Sequence, residues 1–320
     1  MANFLLTIVL PVFVISVLVK IYLKLIAGWC KCKTCLVGKT VIVTGPTSGM
    51  GYETALDFAQ RGARVILGCL DKREGEETKL KIINETGNAN IIVKPLDMAS
   101  FDSVRAFARD VNASEDHLDI LVNNAGVAGI GDRLTQDGHL YTMQVNYFSA
   151  FLLTNLLLGL LKKTKNSRIV NVASVVAKYE YHLDCTRLDH YPGNYQKVYS
   201  RSKLCLLLFT IELAKRLQST TVTIYSVHPG VVSTHLFENV HGFGKYLVAL
   251  GRVFFKTSEE GAQTIIHCAV SKGIEGDSGG HFVDCRKVPR YETAKDGALM
   301  EKLWVVSEEI VHLRPEEVVI

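Results

Sequence analysis

Tyr199 and Lys203 stand four residues apart in Tyr199-Ser200-Arg201-Ser202-Lys203, ahead of the apolar run Leu204-Cys205-Leu206-Leu207-Leu208-Phe209. On a helix that spacing sets both side chains on one face, a turn apart. A phenol beside a fixed ammonium has its ionised form favoured, so the Tyr199 pKa is expected to fall toward the range useful for proton transfer. Alone the pair is unremarkable, because such spacings are common on amphipathic helices. Its meaning depends on what the rest of the chain builds around it.

A second chemical feature is Thr44-Gly45-Pro46-Thr47-Ser48-Gly49-Met50-Gly51, between a β-branched run and a helical pattern. Glycines there let the backbone turn tightly and approach a pyrophosphate, which a helix N-terminus attracts. The competing reading is a tight loop with no ligand. The glycine spacing, three intervening residues and then one, differs from the common dinucleotide fingerprint G-x-G-x-x-G.

The elements that must position these groups follow from periodicity. Short β-branched runs fall at Thr40–Thr44, Arg64–Cys69, Ile91–Pro95, Asp119–Asn123, Arg168–Val172, Thr221–His228 and Gly280–Val283. Helical patterns lie between them, including Tyr52–Gln60, Ser100–Val111, Tyr141–Leu161 and Ser202–Leu217. Strands alternating with helices predict an α/β fold, a doubly wound Rossmann-type parallel sheet in one domain. That domain is assigned to residues 39–283, and residues 284–320, with a helical pattern over Ala298–His312, to a C-terminal appendage.

With these elements in order, the chain resembles the short-chain dehydrogenase/reductase family. The resemblance rests on the glycine turn, Leu96-Asp97, Asn123-Asn124-Ala125-Gly126, Gln144-Val145-Asn146-Tyr147, Val172-Ala173-Ser174, Tyr199 with Lys203, and Pro229-Gly230-Val231-Val232-Ser233-Thr234. It implies a catalytic set of Asn146, Ser174, Tyr199 and Lys203. Tyr199 would exchange a proton with the substrate oxygen, and Ser174 would hydrogen-bond the substrate carbonyl. Lys203 would hold the nicotinamide ribose, and Asn146 a relay water. The cofactor site it implies comprises Gly45, Pro46, Thr47, Ser48, Gly49, Met50, Gly51, Asp97, Asn123, Ala125, Gly126, Tyr199, Lys203, Pro229, Gly230 and Thr234. His228, beside Pro229, is expected to be structural because Tyr199 already fills the role of acid and base.

Choice between the nicotinamide cofactors normally lies at the end of the second strand. There the chain reads Gly68-Cys69-Leu70-Asp71-Lys72-Arg73. Leu70 stands where NADP-using membrane relatives place Arg, and Cys69 where NAD-preferring ones place Asp. Lys72 or Arg73 remains to meet a phosphate, so NADP(H) is favoured, with NAD(H) the alternative. Within the family the chain is most similar to the microsomal retinol dehydrogenases that reduce retinal. The long Ser174-to-Tyr199 interval carries Tyr179, Tyr181, His182, Tyr191 and Tyr195, suited to a pocket for an extended apolar substrate. Leu236–Phe255, rich in Leu, Phe, Val and Tyr, is expected either to cover that pocket at the membrane surface or to pack on the core.

The N-terminus explains why an apolar substrate fits. Phe4–Ala27 is broken only by Lys20 and Lys24, whose stems can snorkel, and it reaches the roughly 20 residues that span a bilayer. A cleaved signal peptide is the rival, but no basic start and no clear cleavage site support it. Residues 1–28 are therefore expected to form a transmembrane anchor and residues 29–38 a Cys-containing linker. Lys20, Lys24, Lys31, Lys33 and Lys39 all follow the apolar run, which places the main domain in the cytosol. The resemblance implies the endoplasmic reticulum.

Composition narrows the partners. The chain has 320 residues, 48% of them hydrophobic, a net charge of +4 and no Lys/Arg block with interleaved aromatics. Nucleic acid is excluded as a partner. The expected partners are a lipophilic small molecule and the membrane, and a homo-oligomer is compatible with this reading. The eight cysteines do not form a disulfide framework in so long a chain, and Cys30, Cys32 and Cys35 lack a fourth ligand at zinc spacing. The expected activity is interconversion of a lipophilic alcohol and its carbonyl compound, retinol and retinal leading. A reductase of sterol, polyprenal or fatty-aldehyde substrates is the rival within enzymes. A membrane-tethered cofactor-binding scaffold is the rival outside them.

Overall fold

The β-branched runs become strands because both faces of each are covered. β1 (Thr40–Thr44) is buried at every position, as expected of a strand sandwiched between helix layers. It pairs in parallel with β2 (Arg64–Cys69) and with β4 (Ile120–Asn123). With β3 (Ile91–Pro95), β5 (Arg168–Val172), β6 (Thr223–His228), β7 (His281–Val283) and β8 (Arg286–Val288), they form one 8-stranded sheet ordered β3-β2-β1-β4-β5-β6-β7-β8. All neighbours are parallel except β7 and β8, which form an antiparallel hairpin. The computed structural model describes residues 10–232 and 254–317.

Strand order reverses direction between β1 and β4, and ligands of doubly wound sheets bind at the strand ends flanking such a switch. Two helix layers enclose the sheet. On one side, α2 (Gly49–Gln60), α3 (Lys72–Thr86) and α7 (Ser258–Val270) bury Phe58, Ile82 and Ile265 against Val41, Val43 and Leu67. On the other, α4 (Phe101–Ser114), α5 (Tyr141–Lys163), α6 (Tyr195–Arg216) and α8 (Gly297–Ile310) bury Phe107, Phe151, Phe209 and Trp304. α5 is 23 residues long and apolar enough to cross a membrane, yet it is almost wholly buried and serves as the core helix of this layer. α3 has a clear local origin that the periodicity did not bring out: Asp71 caps its first turn and Gly87, at φ 70°, ends it.

The segment expected to be a C-terminal appendage is instead part of the core. β8 extends the sheet, and Trp304 on α8 packs against Phe151 and Phe209 at ring-centroid distances of 5.0 and 5.8 Å. The exposed face of α8 misleads because only Met300, Leu303, Trp304 and Ser307 of that helix are buried. The Cys-containing linker is likewise packed, with Cys30 and Leu36 buried beside α7 and α2. All eight cysteines are free thiols. Of the expected anchor, the described part is the 17-residue helix α1 (Leu10–Ile26), none of whose residues is buried.

Candidate active site

The turn from β1 into α2 is shaped by close approach. Gly45 adopts φ 62°, a left-handed conformation that favours glycine. A Cβ on Gly51 would fall 2.1 Å from the Gly45 carbonyl oxygen and 2.5 Å from Asn124 Nδ2, so only glycine closes this loop. Ser48, the N-cap of α2, makes no side-chain capping bond. The first N–H groups of α2 therefore face the cavity without that internal acceptor. This backbone cradle fits a pyrophosphate.

The cradle opens into a cavity of about 500 Å³. Gly45, Thr47, Ser48, Gly49, Met50, Gly51, Asp97, Ala125, Gly126, Ser174, Tyr199, Lys203, Pro229 and Gly230 line it, so the structure brings together most of the residues singled out from sequence. Pro46 belongs to the turn but is not among the lining residues. Asp97 uses one carboxylate oxygen to accept from the Ala99 N–H at 2.7 Å, which fixes it at the end of β3. Thr234 and residues 236–253 lie outside the described residues.

Several assignments change. Asn123 does not reach the cavity: it is buried, and its Nδ2 donates to Thr154 Oγ1 at 3.0 Å and Asn171 Oδ1 at 2.8 Å. Because side chains alternate along a strand, its neighbour Asn124 faces the site instead, donating to the Thr44 and Gly45 carbonyls. None of Tyr179, Tyr181, His182, Tyr191 and Tyr195 lines the cavity, and Tyr179 and Tyr181 are exposed. The apolar wall comes from Tyr141, Val145, Val172, Val175, Val176, Val231 and Val232, scattered over four segments where no local pattern could announce them.

The third change concerns electrostatics. Tyr199 and Lys203 share a face of α6, with Lys203 Nζ 5.8 Å from the Tyr199 ring centroid. Lys203 Nζ donates to the Val172 carbonyl at 2.8 Å, which holds the ammonium in place. Burial then dominates both groups. It pushes the Tyr199 phenol up to about 12, against a smaller lowering by its hydrogen bond with Ser174. Burial also brings Lys203 down to about 8. The expected acidification of Tyr199 is thus reversed, because desolvation of the phenolate is the largest influence on it.

Ser174 accepts from the Val176 N–H at 3.4 Å, leaving its own hydrogen free to donate. Asn146 sits in a π-helical turn, Gln144–Phe148, within α5. Such bulges often mark functional sites. Its Oδ1 accepts from the Val127 N–H at 2.7 Å, and its Nδ2 donates to the Val127 carbonyl and to Ser202 Oγ. Asn146 thus clamps the loop after β4 rather than lining the cavity. A Cβ on Gly126 would meet both Asn146 Oδ1 and Lys203 Nζ at 3.3 Å, so glycine keeps these groups close to one another.

His228 lines the cavity. Its Nδ1 is buried without a hydrogen-bond partner, and burial, helped by Lys256, lowers its pKa to about 4. At the far end, Leu70 forms the rim while Cys69 is buried beneath it, its thiol pushed up to about 12 mainly by burial. One oxygen of the Asp71 carboxylate, Oδ1, accepts from both the Arg73 and Glu74 N–H groups. Lys72 and Arg73 are exposed on the first turn of α3. No group of three or more His, Cys, Asp or Glu that could hold a metal occurs among the described residues.

The pattern of the short chain dehydrogenase family matches residues 39–242. Over nearly the whole chain the sequence is 42% identical to mouse retinol dehydrogenase 11, covering 98% of this chain and 99% of that protein. Human retinol dehydrogenase 14 is 42% identical, with 86% of this chain and 87% of that protein aligned. Among solved structures, an uncharacterized protein from Mycobacterium paratuberculosis superimposes with a TM-score of 0.72 at 29% identity, covering 89% of this chain and 98% of that one. RhlG of Pseudomonas aeruginosa, solved as an active-site complex with NADP, does so with a TM-score of 0.63 at 25% identity, over 78% of this chain and 95% of that one. On the glycine cradle, the shared cavity and these matches, the chain belongs to the short-chain dehydrogenase family of nicotinamide-dependent oxidoreductases.

Proposed function

We propose that this chain is a membrane-anchored, NADP(H)-dependent oxidoreductase that interconverts a lipophilic alcohol and its carbonyl compound, retinol and retinal being the leading pair. The convergence of Ser174, Tyr199 and Lys203 in one cavity with the glycine cradle carries the reading. When bound, the nicotinamide supplies or accepts the hydride. The residues here handle the proton and the position of the oxygen.

With its phenol held near 12, Tyr199 is protonated at neutral pH and can donate its proton to a carbonyl oxygen. Ser174 shares a hydrogen bond with Tyr199, so the two hydroxyls stand side by side and both can turn to a carbonyl oxygen placed between them. Lys203, near 8, is mostly cationic at pH 7 and steadies the negative charge left on Tyr199 as the proton departs. In the oxidative direction the same phenolate would accept the proton. The valine-rich wall suits an apolar substrate.

NADP(H) is favoured because Asp71, the nearest carboxylate to the end of β2, is held by one oxygen as the cap of α3, whereas Lys72 and Arg73 stand exposed beside it. The anchor reading rests on α1, whose apolar side chains, among them Phe13, Ile15, Leu18 and Leu25, are exposed. Burial of such a helix in water would require a partner, and a bilayer supplies one. The lysines around and after the end of α1 support a cytosolic catalytic domain, and the similarity to microsomal enzymes supports the endoplasmic reticulum as its membrane.

The test is purified full-length protein with NADPH against retinal, a sterol ketone and a long-chain aldehyde. NADPH-dependent reduction of retinal is expected. Cofactor binding without turnover of any of them favours the scaffold reading. Protease treatment of sealed microsomes checks orientation, and a fully protected catalytic domain would overturn the cytosolic assignment.

A further inference from the structure

Asp284 and Cys285, at the tip of the β7–β8 hairpin, have φ values of 48° and 57°. Two-residue hairpin turns of this hand favour Asn-Gly or Asp-Gly, because a side chain in the left-handed region costs energy. A cysteine at the second position is therefore a strained choice, held by its surroundings. Strain of this kind tends to persist where the position of a neighbouring group matters.

The neighbouring group is the exit of α1. Gly28 lies so close that a Cβ there would fall 2.1 Å from the carbonyl carbon and oxygen of Asp284. Its N–H donates to Asp284 Oδ1 at 3.2 Å. The same oxygen accepts from Lys256 Nζ at 2.5 Å. The stem of Lys256 passes beneath Gly230, where a Cβ would meet its Cδ at 2.8 Å, and the Lys256 N–H donates to the Val231 carbonyl at 2.9 Å. Gly230 and Val231 are cavity wall. On the adjoining α7, Lys24 pairs with Glu260, and the Cys30 N–H donates to Gln263 Oε1 at 3.2 Å.

We propose that the β7–β8 hairpin tip is a clamp that fixes where the membrane helix leaves the catalytic domain, so that the Gly230–Val232 rim of the cavity is held at the bilayer surface to receive substrate dissolved in lipid. Asp284 is its central positioning residue: one carboxylate oxygen joins the anchor exit to the lysine that supports the rim. The inference rests on the anchored-oxidoreductase reading above, and it adds the route by which that site is supplied.

Full-length protein in phosphatidylcholine vesicles tests it, using NADPH with retinal dissolved in the vesicles and with hexanal in the water phase. In Gly28→Val, KM for vesicle-borne retinal should rise several-fold while kcat, and both constants for hexanal, stay unchanged. Asp284→Asn keeps an acceptor for the Gly28 N–H and tolerates the left-handed conformation, but loses the ion pair. It should show the same split at smaller size, and it serves if the valine variant fails to fold. Equal changes for both substrates, or none for either, would overturn the clamp. Trypsin cleavage at the exposed Lys31 and Lys33 reports independently of turnover and should be faster in both variants. Unchanged cleavage rates refute the clamp. Wild-type protein that turns over neither aldehyde refutes the oxidoreductase reading instead.

Discussion

The two ends of the cavity are built from different materials. At the nucleotide end the wall is backbone: Gly45, Gly49 and Gly51 remove side chains, and Asn124 ties the turn to the end of β4 through the Thr44 and Gly45 carbonyls. At the chemical end the wall is ionisable side chains, the half-buried Tyr199 and the buried Lys203 and His228, each displaced from its ordinary pKa chiefly by desolvation. Backbone donors are fixed by the chain path and carry no proton to lose. Buried side chains can change charge, which is what proton transfer needs, and holding them costs stability. One end is therefore sensitive to shape and the other to pH.

The largest expected effect lies at the chemical end. Tyr199→Phe removes the proton donor while leaving the ring and the cradle in place. It should lower kcat by about 10²–10⁴, the usual scale for losing a general acid. Cofactor affinity, read by quenching of protein fluorescence, should hardly move. Should most of the activity survive, the proton comes from elsewhere and the division between the two ends fails.

Acid exposes the next difference. His228 and His281 are both buried and lowered to about 4, the second also by the charge of the first. From an ordinary value of about 6.5, the unfolded chain binds these protons before the folded one does. Their stabilising contribution is complete above pH 6.5 and is lost as pH falls through 4, on the order of 3 kcal/mol each. The melting temperature should drop steeply between pH 6.5 and 4.5. His281→Gln, which can keep a hydrogen bond to Ser226 or Tyr291, should flatten that drop. A profile identical to wild type would remove His281 from this account.

At the nucleotide end, Gly51→Ala should act through shape alone. The new methyl would lie 2.1 Å from the Gly45 oxygen, so the turn must shift. Overpacking typically costs ~1–3 kcal/mol, which, if it falls on the bound state, converts to a cofactor Kd weaker by about 5- to 150-fold. The weakening should be the same at pH 6.5 and 8.5, and a strong pH dependence would blur the contrast.

The nucleotide end was legible in the sequence because its requirements are contiguous: the glycine turn, the strand before it and the helix after it occupy one stretch, Thr40–Gln60. Parallel strands buried on both faces are also visible as β-branched runs, and β1, β2, β3 and β5 fall where those runs lie. Tyr199 and Lys203 were legible as a spacing, but not their protonation, which depends on burial by Val172, Ser174 and other distant residues. The same limit hid the apolar wall. Tyr179 and Tyr181 lie near Ser174 in sequence, while the wall is assembled from α5, β5, Val175 and Val176 just after Ser174, and the loop after β6. Asn123 and Asn124 differ only in which way the strand end turns them, and two adjacent asparagines do not say which faces the ligand. The C-terminal segment was misjudged because a helix that buries one narrow stripe looks like a surface element until its partners, Phe151 and Phe209, are in place.

The smallest expected effect sharpens the comparison most, because it lies where the backbone cradle gives way to charge. Leu70 and the buried Cys69 offer neither a phosphate ligand nor a ribose acid, and Asp71 is engaged as a helix cap. On the proposed NADP(H) preference, selectivity for the 2′-phosphate would fall to Lys72 and Arg73 in the first turn of α3, where the helix terminus also favours an anion. Both are exposed, so water and salt screen them and each contact is worth little. Replacing both with alanine should weaken NADPH binding by about tenfold, the equivalent of ~1.4 kcal/mol, and leave NADH binding unchanged. The loss should shrink as salt rises, since exposed charges are screened over a Debye length of about 8 Å at physiological ionic strength. Equal weakening of both cofactors would mean that the first turn of α3 shapes the pocket without reading the phosphate.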